Sequence, residues 1–111
     1  PRLSEESVKI LRKKHADRTE IEVDKIFHEL AKMPFFGFLP EEQRKEDAWL
    51  QLIKRADLIE NITKGTHVVN ADNALEALFI ILTGEVKAWN KFDKDAFDIK
   101  GRGDAFGELL P

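Results

Sequence analysis

Residues 101–109 hold the arrangement in this sequence that is best suited to recognise a small charged ligand. Gly101, Gly103 and Gly107 lie within seven residues, and glycine lets the backbone turn tightly and come close to a bound group. Glu108 follows the last glycine directly, so its carboxylate would project from a backbone that a ligand can approach. Backbone N–H groups at such a turn suit a phosphate, and a carboxylate, which only accepts hydrogen bonds, suits sugar hydroxyls. Phosphate and sugar together predict a nucleotide.

Three separate stretches resemble one known family. Residues 103–109, Gly-Asp-Ala-Phe-Gly-Glu-Leu, look like the start of the phosphate-binding cassette of cyclic nucleotide-binding domains. Residues 78–87, Leu-Phe-Ile-Ile-Leu-Thr-Gly-Glu-Val-Lys, are similar to the strand-turn-strand that precedes this cassette. Residues 35–40, with a Phe-Phe pair and then Leu-Pro, resemble the helical lead-in of the family. The likeness spans roughly residues 19–111, so it depends on order and spacing as well as on one motif.

The resemblance implies a regulatory module that binds cyclic AMP or cyclic GMP and controls an attached effector. In the family the cassette glutamate accepts a hydrogen bond from the ribose 2′-hydroxyl, and by position this residue is Glu108. The neighbouring backbone amides meet the phosphate, which assigns that role to Gly107 and Leu109. The resemblance also implies an effector domain in the same chain or a partner chain, and no separate cofactor. The lack of cysteine is compatible with a cytoplasmic location, which we expect.

The chain departs from the family pattern in several places, one of which is Leu110-Pro111, where the family usually has small and apolar residues after Gly-Glu-Leu. The arginine that pairs with the phosphate in the family would come after Pro111, and Arg102 is not that residue by position. Asp72 stands where the family usually has a glycine in the loop before the buried strand. We therefore expect the chain to be part of a longer protein that continues past Pro111.

Other interpretations of the same residues stay open. The Phe-Gly-Glu run could simply turn the chain, with Glu108 as a solvated residue at the start of a helix. A family member that has lost nucleotide binding could be a protein-interaction scaffold, with Phe35, Phe36 and Phe38 or the basic residues 12–15 as its docking surface. Alternatively, these phenylalanines fill the joint between helices and sheet, and the basic residues form a solvated helix face.

We do not expect an enzyme, because the residues that catalysis needs are not grouped. His15, His28 and His67 fall on different predicted elements, and no Ser–His or His–Glu spacing resembles a catalytic arrangement. His28 lies just off the apolar stripe of a predicted helix. We interpret it as structural, because we find no carboxylate or second histidine at a suitable spacing.

Composition limits the class of protein further. A chain of 111 residues forms one domain at most, and 42% apolar with 35% charged residues indicates a globular chain with a charged surface. The net charge of −3 argues against a dedicated nucleic-acid binder. The absence of cysteine excludes disulfides and thiolate metal sites. The longest apolar run, residues 77–82, is far too short to span a bilayer, and no signal-peptide pattern is present.

Apolar residues at helical spacing predict three helices in the first half of the chain. The first covers residues 4–15, with Val8, Leu11 and His15 on one face. The second covers residues 20–32 and starts at a capping box formed by a threonine and the glutamate three residues later. The third begins at a proline and runs over residues 40–56.

After residue 57 the period changes to the alternation of β-strands. A Thr-Gly pair at residues 83–84 is predicted to fold residues 85–89 back on residues 78–82 as an antiparallel hairpin. The chain is therefore predicted to be α+β, with N-terminal helices followed by an antiparallel β-roll that is truncated at the C-terminus. In the family this is a jelly roll. The predicted strands cover residues 58–62, 66–70, 78–82, 85–89 and 96–100, and the predicted divisions are an N-terminal extension (1–18), lead-in helices (19–57) and β-roll (58–111).

Overall fold

A computed structural model describes residues 2–68, 78–89 and 97–107 of the chain. The chain divides into two compact units, Pro1–Ile62 and Thr63–Pro111. The described part of the first is helical and that of the second forms antiparallel strands, which confirms the predicted α+β class. No helix within these described ranges has the length and apolar composition that crossing a membrane would need.

The first unit contains four α-helices and two short 3₁₀ turns in its described residues. The α-helices are α1 (Glu5–Arg12), α2 (Glu20–Leu30), α3 (Pro34–Gly37) and α4 (Glu46–Lys54), and the 3₁₀ turns are His15–Asp17 and Glu41–Arg44. The core side chains of this unit are Leu3, Ile10, Val23, Ile26, Phe27, Leu30, Met33, Phe35, Trp49 and Ile53.

Helix α2 begins where the sequence predicts. The Thr19 hydroxyl accepts a hydrogen bond from the Glu22 N–H at 3.2 Å, and the Glu22 carboxylate accepts one from the Thr19 N–H at 3.0 Å. This reciprocal pair is the predicted capping box. The predicted apolar stripe is also confirmed, because its four members are buried: Val23, Ile26, Phe27 and Leu30.

The buried face of α1 differs from the predicted face. Ser7 and Ile10 are buried, whereas Val8 and Leu11 are half-buried and His15 is exposed. The cause is a polar contact, because the Ser7 hydroxyl donates to the Glu29 carboxylate of α2. A serine thus occupies the centre of the helix interface, where a purely apolar pattern does not predict it.

The predicted helix over residues 40–56 is divided into two pieces. Lys45 has φ −65° and ψ 129°, an extended conformation that separates the 3₁₀ turn from α4. The indole Nε1–H of Trp49 donates to the Gln43 carbonyl at 2.6 Å, so a side chain satisfies this carbonyl. Trp49 itself is buried, as predicted.

In the described residues of the second unit, four short strands pair as two nested ladders. Strand β1 (Leu78–Ile80) pairs antiparallel with β4 (Ala105–Gly107), and β2 (Val86–Trp89) pairs antiparallel with β3 (Phe97–Lys100). The predicted hairpin between residues 78–82 and 85–89 is therefore wrong. The chain changes direction at Gly84, which has φ +87°, without forming the tight two-residue turn that such a hairpin needs.

The pairing register of the outer ladder continues almost unchanged into the inner ladder, as it would in a single long hairpin. Leu78 lies opposite Gly107 in the outer ladder, and Val86 lies opposite Lys100 in the inner ladder. Beyond β1, the Ile81 N–H donates to the Asp104 carbonyl at 2.9 Å, so the outer ladder extends toward the inner one. Strands β1 and β4 are therefore paired although they lie more than twenty residues apart in the sequence, whereas the partners in the inner ladder are closer along the chain.

The strand predicted for residues 58–62 is also wrong. This segment has no regular secondary structure, and both Ile59 and Ile62 are exposed. Asn61 has φ +58°, a left-handed conformation that asparagine tolerates and a strand does not contain. Of the strand predicted over residues 66–70, residues 66–68 are not extended strand, and residues 69–70 lie outside the described ranges.

Alanine substitutions at two glycines should have opposite effects. Gly84 has φ +87° and Gly37 lies in α3 without a positive φ, yet an added Cβ would meet no atom within 4 Å at either position. The difference is therefore conformational. Gly84→Ala should destabilise its unit by about 1–2 kcal/mol, and Gly37→Ala should stabilise its unit by about 0.4–1 kcal/mol. Urea denaturation followed by circular dichroism measures both, and effects of equal sign would contradict the assigned backbone geometry.

Candidate functional site

Asp104 closes the glycine-rich turn that the sequence singles out. The Asp104 N–H donates to the Gly101 carbonyl at 3.0 Å, and the Gly101 N–H donates to Oδ2 of Asp104 at 2.9 Å. Gly103 has φ +86°, the conformation that the third residue of a type II turn requires. The carboxylate of Asp104 thus holds the turn through Oδ2.

The turn also uses its own N–H groups. The Gly103 N–H donates to the Ile81 carbonyl at 2.8 Å, in addition to the bonds made by Gly101 and Asp104. These three donors are satisfied within the unit, so they are not the free phosphate-binding amides that the sequence suggested for the turn.

Strand β4 leads from the turn to the predicted binding residues. Phe106 of β4 stacks on Phe79 of β1 with ring centroids 5.0 Å apart and ring planes within 9°. Gly107 ends the strand with φ +100° and is exposed. Of the three predicted binding residues, Gly107 is therefore placed at a strand end, and Glu108 and Leu109 lie outside the described residues.

In the helical unit, a buried arginine joins the ends of two helices. Arg18 is 7% exposed, and its guanidinium donates to the carbonyls of Leu11 and Ile53, each at 2.8 Å. These carbonyls belong to the last turns of α1 and α4, where helices have unsatisfied acceptors and a partial negative charge. Burial lowers the pKa of Arg18, and the nearby carboxylate of Asp57 acts in the opposite direction.

An open depression of about 520 Å³ lies beside Arg18 and is lined by the basic residues 12–15. Arg12 pairs with Glu60 at 2.6 Å, and His15 Nε2 lies 2.7 Å from the Asp57 carboxylate. Lys13 pairs with Glu22, so three of the four basic side chains have acidic partners within the helical unit. This pairing favours the structural interpretation of the basic run over a docking surface.

Glu29 binds the start of α1. Its Oε1 accepts from the Ser4 N–H at 2.7 Å, and its Oε2 accepts from the hydroxyls of Ser7 and Ser4. Burial acts to raise the pKa of Glu29, but the hydrogen bonds from Ser7 and Ser4 outweigh it, and Lys25 adds a smaller effect. The pKa of Glu29 is therefore lowered, and the ionised carboxylate is the form that the fold prefers.

This lowered pKa predicts how stability depends on pH. A carboxyl group whose pKa is lower in the folded state contributes stability above its unfolded pKa, and this contribution disappears as pH falls through the folded pKa. Glu29→Gln should therefore destabilise the protein at pH 7, and its difference from wild type should shrink below about pH 4. Glu42→Gln, at an exposed glutamate without a described hydrogen bond, is the control and should leave stability almost unchanged. Urea denaturation between pH 3 and 7 measures both variants, and a Glu29→Gln difference independent of pH would contradict the assignment.

His28 has a carboxylate partner that sequence reasoning missed. Its Nε2 lies 3.2 Å from Oδ2 of Asp24, which is four residues earlier and on the same face of α2. The interpretation that His28 had no suitably spaced carboxylate is therefore wrong. The signal was present in the sequence as an Asp and a His at the i, i+4 spacing within a predicted helix.

Comparison of the chain with protein families, characterised proteins and solved structures gives no significant match.

Proposed function

We propose that this chain is a regulatory module that binds cyclic AMP or cyclic GMP at Gly107, Glu108 and Leu109. It would be a ligand-binding module with no catalytic activity of its own, located in the cytoplasm and coupled to an effector domain. Glu108 would accept a hydrogen bond from the ribose 2′-hydroxyl. The backbone amides of Gly107 and Leu109 would donate to the phosphate.

One observation carries this proposal: the conformation of Gly107 at the end of β4. Its φ of +100° is one that residues with a side chain rarely adopt, and the residue is exposed. A left-handed glycine directly before a glutamate turns the chain sharply and leaves the backbone open to close approach by a ligand. The turn at residues 101–104 and the Phe79–Phe106 stack fix the strand that precedes it.

The strand pairing supports a jelly roll as the parent fold. In a jelly roll, the strands pair as they would in one long β-hairpin that is wound into a roll. The strand pair nearest the ends of this hairpin therefore encloses, in sequence, the pairs nearer its turn. The β1–β4 ladder encloses the β2–β3 ladder in this way. We therefore propose that the second unit is part of a cyclic nucleotide-binding β-roll.

Coupling to an effector would follow from differential affinity. A nucleotide shifts the protein toward whichever conformation binds it more tightly. In the family, helices that flank the β-roll report this shift. By position these are the helices between residues 19 and 56.

The scaffold alternative has less support, because its predicted aromatic surface is divided. Phe35 is buried, and Phe36 packs against Phe27 and Trp49 with centroids 6.0 and 5.5 Å apart. Phe38 alone of the three predicted docking rings is fully open to solvent, at 86% exposure. A single exposed ring does not make an aromatic docking surface, so we do not propose this function.

Calorimetric titration of cyclic AMP and cyclic GMP into the full-length protein tests the proposal. Wild type should bind at least one of the two nucleotides saturably. Glu108→Gln should weaken binding by about tenfold or more, because a hydrogen bond to a charged group contributes roughly 1.5–3 kcal/mol. Glu85→Gln is the matched control, since Glu85 also follows a left-handed glycine, Gly84, and it should bind as wild type does.

Absence of binding to either nucleotide at millimolar concentration, in a sample shown to be folded by circular dichroism, would overturn the proposal. Equal weakening by Glu108→Gln and Glu85→Gln would also overturn the assignment of the site. In either case, the chain would not be a cyclic nucleotide-binding module of the proposed kind.

A further inference from the structure

We propose that Asp24, His28 and Glu46 form a binding site for Zn²⁺ where α2 meets α4. Each residue offers one ligand atom, and the three atoms all lie within 4.8 Å of one another. The site lies in the helical unit, so it is independent of the proposed nucleotide site.

The distances fit the geometry of zinc. Zinc bonds to histidine nitrogen and carboxylate oxygen are about 2.0–2.1 Å long, so ligand atoms in a tetrahedral site lie about 3.3 Å apart. Nε2 of His28 and Oδ2 of Asp24 are already 3.2 Å apart. The Glu46 carboxylate therefore has at most about 1.5 Å to move to complete a set of three ligands.

Two packed elements hold these ligands in place. Asp24 and His28 lie one turn apart on α2, and the ring of the buried Phe27 meets the His28 ring edge-on with centroids 5.6 Å apart. Glu46 is the first residue of α4, a helix that packs against α2 and buries Trp49 next to it in the core. Because both helices are anchored by core side chains, the fold fixes the backbone positions of the three ligand residues.

The chemical types of the three ligand atoms indicate which metals the site would bind. Magnesium and calcium prefer oxygen ligands, whereas a site with one imidazole and two carboxylates suits zinc or a similar transition metal. Three protein ligands leave the fourth zinc position for water or another ligand. The side chains of Asp24 and His28 are 47% and 62% exposed, so a metal could reach them from solvent.

The expected structural consequence is a cross-link between α2 and α4. Bound zinc stabilises the folded state, because the ligands come together only when the two helices are packed. The thermal midpoint of the helical unit should therefore rise with zinc concentration. Substituting any one ligand should abolish most of this rise.

The chain offers a matched control for a histidine–carboxylate pair. His15 also faces a carboxylate, with its Nε2 2.7 Å from Asp57, and it lies in the same helical unit. Among the residues that the structure describes, this pair has no third ligand close enough to complete a metal site. His15→Ala therefore removes a similar histidine–carboxylate contact without changing the proposed zinc ligands.

The test is calorimetric titration of ZnCl₂ into the full chain after dialysis against a chelator. Wild type and His15→Ala should bind one zinc per chain, and His28→Ala and Glu46→Gln should bind at least tenfold more weakly. Co²⁺ should give the intense visible absorption of a tetrahedral site in wild type and not in His28→Ala. Circular dichroism checks that each variant is folded, and Glu46→Gln keeps the shape of the side chain.

Three results would overturn the zinc site. One is the absence of saturable zinc binding by folded wild type at millimolar zinc, which would leave Asp24 and His28 as an ordinary side-chain contact. Another is binding that His28→Ala and Glu46→Gln leave unchanged. The last is an equal loss of binding in His15→Ala and His28→Ala, which would indicate non-specific binding to histidines.

Discussion

Replacing Arg18 with methionine should lower the free energy of unfolding of the helical unit by about 3 kcal/mol or more. The guanidinium donates to carbonyls at the ends of both α1 and α4, including those of Leu11 and Ile53 at 2.8 Å. Methionine has similar length and no donor, so it would leave these part-buried carbonyls without their partner. Urea denaturation followed by far-ultraviolet circular dichroism measures the loss.

Two further substitutions test whether the expected loss of stability comes from the buried hydrogen bonds of Arg18 or only from the loss of a positive charge. Arg12→Met removes an arginine whose pair with Glu60 is solvent-exposed, and because such pairs contribute little to stability, it should destabilise the protein far less than Arg18→Met. Arg18→Lys should recover only part of the stability, because one ammonium group cannot reproduce the fork of donors that reaches two helix ends. Equal losses for Arg18→Met and Arg12→Met would show that Arg18 does not join the helices as described.

Ile26→Ala should destabilise the protein by about 3–4 kcal/mol, which is comparable to the effect at Arg18. Ile26 is 0% exposed at the centre of the α2 stripe, so truncation removes apolar contacts and leaves a cavity. The same substitution at Ile21, five residues earlier in the same helix, is the matched control. Ile21 is 83% exposed, so Ile21→Ala should change stability by no more than about 0.5 kcal/mol.

Thermal and urea denaturation of the two isoleucine variants test the orientation of α2 directly. A large loss at Ile26 and almost none at Ile21 is expected from the face that α2 buries. Similar losses at the two positions would mean that α2 is turned about its axis relative to the present description. That result would also weaken the zinc proposal, because Asp24 and His28 are carried by the same helix.

Helix α2 could be predicted from sequence because its determinants are local. The capping box joins Thr19 and Glu22, which are three residues apart, and the buried stripe follows one helical face. The hydrogen bond that determines which face of α1 is buried could not be predicted in the same way. Ser7 and Glu29 are 22 residues apart, and the contact exists only after α1 and α2 have packed.

The pairing of the strands, in contrast, could not be predicted from local sequence. Local sequence patterns, an apolar run at residues 78–82 and alternation at residues 85–89, correctly predicted strands, as did the pattern at residues 96–100, but these patterns could not assign partners. The partner of β1 is β4, a segment that was predicted to bind a ligand and for which no strand was predicted. Residues 58–62 alternate without finding any partner in the described part of the sheet, so they do not become a strand.

The candidate ligand residues were predictable to different degrees. Gly107 was predicted to be a binding residue, and its left-handed conformation agrees with a backbone that must turn sharply before Glu108. The ligand itself depends on resemblance and stays a prediction. The Asp24–His28 pair could have been predicted from its i, i+4 spacing. Glu46 comes 18 residues after His28, and its proximity could not be predicted because it depends on the packing of α4 against α2.

The most direct test of nucleotide binding at Gly107–Leu109 is a two-dimensional ¹H–¹⁵N NMR titration of the protein with cyclic AMP and then cyclic GMP. The amide signals of Gly107 and Leu109 should move downfield and saturate, because an N–H that donates to a phosphate is deshielded. Amide signals of Gly101 and Gly103 should move much less, since these groups already donate within the unit. Unchanged Gly107 and Leu109 signals at saturating nucleotide, or shifts confined to other parts of the chain, would contradict the proposed site.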